Sequence, residues 1–209
     1  MKSPFLKVVF LALLFACAGC VQPYDYTAFR AHPPRSILVL PPINHSTDIR
    51  GSYGYLSTVT RPLAEMGYYV FPVVEVDEFM KENGLPTAGE MQQAPLDKIG
   101  KIMGADAVLY ITVNKYGSKY EIITSVVTVS AEAKLVDVKT GLTLWQGTVV
   151  EQQSSDSGNG IADLIDAVIT QIINSSSDQA HKLSSVANSE MLMTKDHGLL
   201  YGPYHPKSN

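Results

Sequence analysis

The sequence predicts an α/β fold: a single domain with a mixed five-stranded sheet flanked by helices, closed by a C-terminal antiparallel hairpin and a following helix. Three observations carry this. Short apolar runs at 37–40, 68–71 and 107–113 alternate with segments of helical periodicity, the pattern of parallel strands joined by helical crossovers. From Val127 to Leu135 the period switches to two, which marks a strand with one wet face and antiparallel neighbours. Asp137-Val138-Lys139-Thr140-Gly141 then supplies a tight turn before a return strand at 142–150.

Taken in order, Ile37-Leu38-Val39-Leu40 reads as a buried strand stopped by Pro41-Pro42. A polar loop covers 44–50. Tyr53, Leu56, Thr60 and Leu63 recur at helical spacing, with Pro62 expected to kink or restart that helix and Gly67 to close it. The strand at 68–71 ends at Pro72. A short helix follows at 76–81, stopped by Asn83-Gly84, and a second carries Leu96, Ile99 and Met103 on one face. Strands are expected at 107–113, 121–137 and 142–150, the last holding the only tryptophan, Trp145. Beyond a polar hinge at 154–160, Ile161, Leu164, Ile165, Val168, Ile169 and Ile172 form the cleanest amphipathic stripe in the chain. It is expected to cover Trp145 and the apolar face of 127–135. Residues 181–209 read as a C-terminal extension, weakly patterned but too apolar near its end for a solvated tail.

Composition bounds the function. With 45% hydrophobic and 17% charged residues, the 209-residue chain is not a disordered one. A net charge of −4 gives no basic excess for phosphate, so nucleic acid is not an expected partner. Both cysteines, Cys17 and Cys20, lie in the first twenty residues, which leaves the body without a disulfide framework or a cysteine metal knuckle.

Residues 1–19 read as a bacterial signal peptide. Lys2 and Lys7 precede an apolar run at 8–16, which is too short to span a hydrocarbon core of about 30 Å. Ala18-Gly19-Cys20 resembles the end of a lipobox, making Cys20 the acylated first residue of the mature chain. Cys17 stands where leucine is usual. Val21, rather than an aspartate, favours the outer membrane. Cleavage leaves 14 basic against 20 acidic residues, a net −6. Residues 20–35 then form a lipidated tether holding Pro23, Pro33 and Pro34. Its Tyr24, Tyr26 and Phe29 read as a strap lying on the domain.

Chemical signals are sparse. No two histidines sit at metal-ligand spacing and no His-Glu-x-x-His occurs, so neither metal nor cofactor is expected. His45, Ser46 and Asp48 follow the first strand, at the end where open α/β sheets place their sites, but no G-x-S-x-G elbow accompanies them. A turn bonded by Asn44, Ser46 and Asp48 explains the same residues. The loop residues Asn44, His45, Ser46, Asp48, Tyr53 and Tyr55 are therefore a candidate ligand or partner surface rather than a catalytic one. Leu199, Leu200, Tyr201 and Tyr204 form a second candidate, a tail that either docks a partner or folds back.

Several segments together carry a resemblance. Ile37-Leu-Val-Leu-Pro-Pro-Ile-Asn-His-Ser-Thr-Asp48, Arg61-Pro-Leu-Ala64, Gly67-Tyr-Tyr-Val-Phe-Pro72, Gly104-Ala-Asp-Ala-Val-Leu-Tyr-Ile111, Ala133-Lys-Leu-Val-Asp137 and Leu144-Trp145 look like a family of proteobacterial lipoproteins of unknown function. The resemblance covers about 36–150. That family includes a meningococcal surface-antigen candidate. It is similar in fold to the N-terminal domain of TolB and to the periplasmic domain of the curli secretion lipoprotein CsgG. The resemblance implies an accessory subunit of an envelope assembly, with CsgG-like lipoproteins as partners and no catalytic residues to carry over. The expectation is a non-enzymatic outer-membrane lipoprotein that scaffolds a secretion or assembly complex, with self-association most simply a homodimer. The alternative is a periplasmic module that binds a small ligand at the 44–55 loop.

Overall fold

Six strands join one mixed sheet in the computed structural model, which describes residues 24–120, 125–154 and 179–207. The strands are β1 (Ser36–Val39), β2 (Ile43–Asn44), β3 (Tyr69–Val70), β4 (Ala107–Tyr120), β5 (Ser125–Asp137) and β6 (Thr143–Ser154). Their order is β3-β1-β4-β5-β6, with β2 also on β4. β1 pairs parallel with both β3 and β4, whereas β4, β5 and β6 form an antiparallel meander. The sheet is therefore parallel where it is sandwiched by helices and antiparallel where one face meets water, as burial demands.

The sixth strand corrects the expected five. Proline has no N–H to donate, so Pro41-Pro42 interrupts the ladder along β4. The chain rejoins it two residues later, with Ile43 opposite Thr112 and Asn44 opposite Val113. The start of β1 is clamped by Asp106, whose carboxylate accepts from the Arg35 and Ser36 backbone N–H groups at 3.0 and 3.2 Å. At the same end of the sheet, the Asp137 carboxylate accepts from Thr140 N–H at 2.8 Å, and Gly141 takes the left-handed φ of 72° that the turn was expected to need.

Six helices flank the sheet among the described residues: α1 (Thr27–Ala31), α2 (Gly51–Glu65), α3 (Val73–Glu82), α4 (Ala88–Gln92), α5 (Leu96–Met103) and α6 (Gln179–Met193). The strand alternation assigns two cores. Ile37, Val39, Leu109, Ile111, Val129 and Leu135 point to the face covered by α1, α2 and α6. Leu38, Leu40 and Val108 point to the other face, where Val76 and Met80 of α3, Met91 of α4 and Ile99 of α5 meet them. α2 runs unbroken through Pro62. The residue sits in the final turn, where only the Thr58 carbonyl loses its helical partner.

Three helices were not read from the sequence. α1 falls in the segment read as a tether, where Tyr26 and Phe29 are buried. α4 opens with a capping box between Thr87 and Glu90. α6, in the segment read as an extension, covers Trp145, the role expected of the amphipathic stripe. That stripe, at 161–172, lies outside the described residues. So do the signal peptide, Cys20 and residues 121–124 of the expected fourth strand.

α6 and α2 are joined by a buried polar seam. Asn188 Nδ2 donates to Thr58 Oγ1 at 2.8 Å, and Thr58 Oγ1 donates to the Tyr55 carbonyl at 2.8 Å. Ser184 Oγ lies 3.3 Å from Thr58 Oγ1 and donates to the His181 carbonyl at 2.7 Å. Such pairings satisfy groups that would otherwise be costly to bury, and they fix how the two helices align.

Candidate functional site

The loop after β2 is the first place where sequence reasoning looked for chemistry. Asn44 organises it: its Oδ1 accepts from Ser46 N–H at 3.0 Å and Ser46 Oγ at 2.7 Å, while its Nδ2 donates to the Asp48 carbonyl at 2.7 Å. Asp48 binds Arg50 through both oxygens, accepting from Nε at 3.0 Å and from the terminal guanidinium nitrogen at 2.7 Å. The Arg50 guanidinium holds the Asp48 carboxyl below the ordinary carboxylate range. The His45 backbone N–H donates to the Val113 carbonyl at 2.8 Å, and its side chain is exposed. The Ser46 hydroxyl is thus committed to Asn44 and to the Asp48 carbonyl, 3.2 Å away, in a bonded turn.

Tyr53 and Tyr55 separate from this loop. Tyr53, on the exposed side of α2, donates to Asp77 Oδ1 at 3.2 Å, and Lys81 sits 5.3 Å above its ring. Lys81 also donates to Asp77 Oδ2 at 2.7 Å, so the tyrosine staples α2 to α3. Tyr55 is fully buried in the larger core, and burial pushes its phenol well above the ordinary range. It is a packing residue, not a loop surface.

A broader feature lies elsewhere. Beyond α3, α4 and α5, the second face of the β4–β6 meander carries no helix among the described residues, and it forms an open groove of about 940 Å³. Tyr110 and Thr112 of β4, Glu132 and Lys134 of β5, and Gln146 and Thr148 of β6 make its floor. Gln92 of α4 and Gln93 just after it make one wall, and Tyr24 stands at its β6 rim. Lys134 lies 5.6 Å over the Tyr110 ring, and Asn114 donates to Glu132 at 2.8 Å. Gln92 donates to the carbonyls of Pro41 and Ile111, at 3.0 and 2.9 Å, which fixes α4 across the proline break. The surface offers amides, hydroxyls and one balanced charge pair over a wide area, the chemistry of contact rather than of bond-making. Sequence reasoning saw the alternation on 127–135 as a wet face but did not gather these residues into a groove. The capping box at Thr87 was the signal that could have placed α4 beside it.

The tail is folded back. Leu199 is buried and Leu200 is packed against the core, whereas Tyr201 and Tyr204 are 48% and 67% exposed. Gly202 N–H donates to the Met66 carbonyl at 2.8 Å and Tyr204 N–H to the Gly67 carbonyl at 3.1 Å, while the Tyr68 hydroxyl donates to the Leu200 carbonyl. This seating needs two glycines. Gly67 holds a φ of 83° and a Cβ there would overlap the His205 backbone, while a Cβ on Gly202 would overlap the Gly67 carbonyl. The strap meets the same tail, with Tyr26 donating to the Gly198 carbonyl at 2.5 Å and the Trp145 indole to the His197 carbonyl at 2.8 Å. Among the described residues, no group of three or more His, Cys, Asp or Glu converges as a metal site would require, and no helix is long and apolar enough to cross a membrane.

Comparison with known proteins places this architecture. A family model described as "Putative lipoprotein GNA1162-like" matches residues 24–204. The "Putative lipoprotein NMB1124/NMB1162" of Neisseria meningitidis serogroup B is 42% identical over 207 residues, spanning 97% of this chain and 96% of that protein. The crystal structure of lipoprotein GNA1162 from Neisseria meningitidis is similar with a TM-score of 0.57 and 46% identity, covering 68% of this chain and 100% of that one. The PelC dodecamer from Paraburkholderia phytofirmans is similar with a TM-score of 0.46 and 12% identity, over 81% of this chain and 91% of that one. A match that takes in the strap, both cores and the tail, together with 42% identity along almost the whole length, makes the chain a member of the "Putative lipoprotein GNA1162-like" family.

Proposed function

We propose that this protein is a non-enzymatic lipoprotein of the outer membrane, anchored through Cys20, that works by binding other proteins as an accessory or scaffold subunit of an envelope secretion or assembly complex. The groove on the open face of the meander carries the reading. It is wide and open, its lining mixes polar and apolar surface with a balanced Glu132 and Lys134, and so it suits a protein surface better than a small molecule. The bonded turn at Asn44–Asp48 supports the same view, because the Ser46 hydroxyl has no free role there as a nucleophile. Other envelope lipoproteins, CsgG-like ones among them, are the partners proposed. The test is gentle detergent extraction of the full-length protein from its own envelope, followed by light scattering and mass spectrometry of co-purifying chains. A large assembly holding other lipoproteins is expected. A lone monomer or homodimer that survives mild extraction would remove the scaffold reading.

A further inference from the structure

The chain is pinned to its own body from Tyr24 onward. The Tyr24 N–H donates to the Asp196 carbonyl at 3.4 Å, and its hydroxyl accepts from the Gln146 backbone N–H at 2.9 Å. Two residues later Tyr26 is buried and bonded to Gly198, and its ring packs 4.9 Å from that of Tyr24. Cys20 lies four residues before Tyr24. Four residues reach at most about 14 Å when fully extended. A domain of this size has a radius of gyration of about 16 Å. The connection between lipid and body is therefore shorter than the body's own radius, and it leaves the body no freedom to hang away from the bilayer.

We infer that the corner formed by Tyr24, the Gln146–Thr148 stretch of β6 and the Asp196–Gly198 turn sits at headgroup level against the membrane, and that the far end of the β4–β6 meander stands away from it. This rests on the acylation of Cys20 proposed above. Two facts set the second half. From Gln146 to Ser154, β6 runs on for eight residues, about 27 Å. The mature chain also carries a net −6, counted from 14 basic and 20 acidic residues, so an anionic bilayer repels whatever the tether does not hold down. The occupant of this corner is thus a lipid surface. Partner proteins are left the part of the groove on β4 and β5, around Tyr110, Thr112, Glu132 and Lys134.

The test uses the full-length lipidated protein in vesicles of phosphatidylethanolamine and phosphatidylglycerol doped with a headgroup-nitroxide lipid. Once Cys17 has left with the signal and Cys20 is acylated, an engineered thiol is unique. A fluorophore is placed at Gln146→Cys or Ser154→Cys, both exposed positions on the same face of β6. Quenching at Gln146→Cys should be several-fold stronger than at Ser154→Cys. A Gly-Ser spacer of about ten residues between Gln22 and Pro23, adding roughly 17 Å of reach, should remove most of that difference. Equal quenching at the two positions, or quenching at Gln146→Cys that ignores the spacer, overturns the inference. Failure of the protein to float with vesicles at all would instead strike down the anchor at Cys20, and this inference with it.

Discussion

Replacing Gly67 with alanine isolates what holds the tail to the body. Two glycines serve as references. Gly84 has a φ of 84° and open space around it, so Gly84→Ala meets only the left-handed penalty, about 1 kcal/mol. Gly202 is not left-handed, but its Cβ would overlap the Gly67 carbonyl, so Gly202→Ala must lift the tail. Lifting it breaks the bonds from Gly202 N–H to Met66 and from Tyr204 N–H to Gly67, at about 1 kcal/mol each. It also exposes part of Leu199 and Leu200, for about 1 kcal/mol more. Gly202→Ala should therefore lose about 3 kcal/mol. Gly67→Ala, which suffers both effects, should lose about 4 kcal/mol. Urea unfolding of the chain from Val21 onward measures all three, and chymotrypsin cleavage after Tyr201 and Tyr204 reports tail release directly. A Gly67→Ala protein no weaker than Gly84→Ala, with its tail still protected, would refute the reasoning.

Other expectations follow from the same coordinates. Thr58→Val strands the Asn188 amide inside the α2–α6 seam and should cost about 2 kcal/mol in urea unfolding, while adding Asn188→Leu to it should recover most of the loss. Burial alone would raise the Asp106 carboxyl, but the N–H groups of Arg35 and Ser36 and the Ser36 hydroxyl outweigh it and hold the group below its ordinary 3.8. Its contribution is therefore present above pH 3.8 and lost as pH falls through the lower folded value. The stability gap between wild type and Asp106→Asn should narrow in that window, as followed by urea midpoints against pH. Trp145→Phe leaves the His197 carbonyl without its indole donor and should cost about 1–2 kcal/mol in thermal unfolding. On the proposed anchor, Cys20→Ser should abolish labelling by radioactive palmitate.

Elements whose burial is carried by large aliphatic side chains were legible in the sequence. β1 and the first half of β4 announce themselves through Ile37-Leu38-Val39-Leu40 and the run at 107–113, and the β5–β6 turn through Asp137 and Gly141. β4 was read as ending at 113 because a register shift follows Val113, and the polar Asn114 and Lys115 then break the apolar run before Tyr116 turns inward again. α6 was missed for a different reason. Its buried positions, Ala180, Leu183, Ser184, Ala187, Asn188, Met191 and Leu192, keep helical spacing throughout, but three of the seven are alanine or serine and one is asparagine. A search for hydrophobic stripes passes over a face built for close approach and hydrogen bonding. The candidate loop was legible as a turn from Asn44, Ser46 and Asp48. The groove was not, because it is assembled from alternate residues of three strands and a five-residue helix that only the sheet register brings together.

The clasp between strap and tail sets an order of events in the life of the chain. Tyr26 and Gly198 are 172 positions apart, so the N-terminal strap has nothing to fasten to until nearly the whole polypeptide is present. Once the last residues arrive, Asp196, Gly198 and Leu200 seat Tyr24, Tyr26 and Tyr68. Closure of the clasp is thus the last step of folding. A chain truncated before Gly198 would be left with an undone strap.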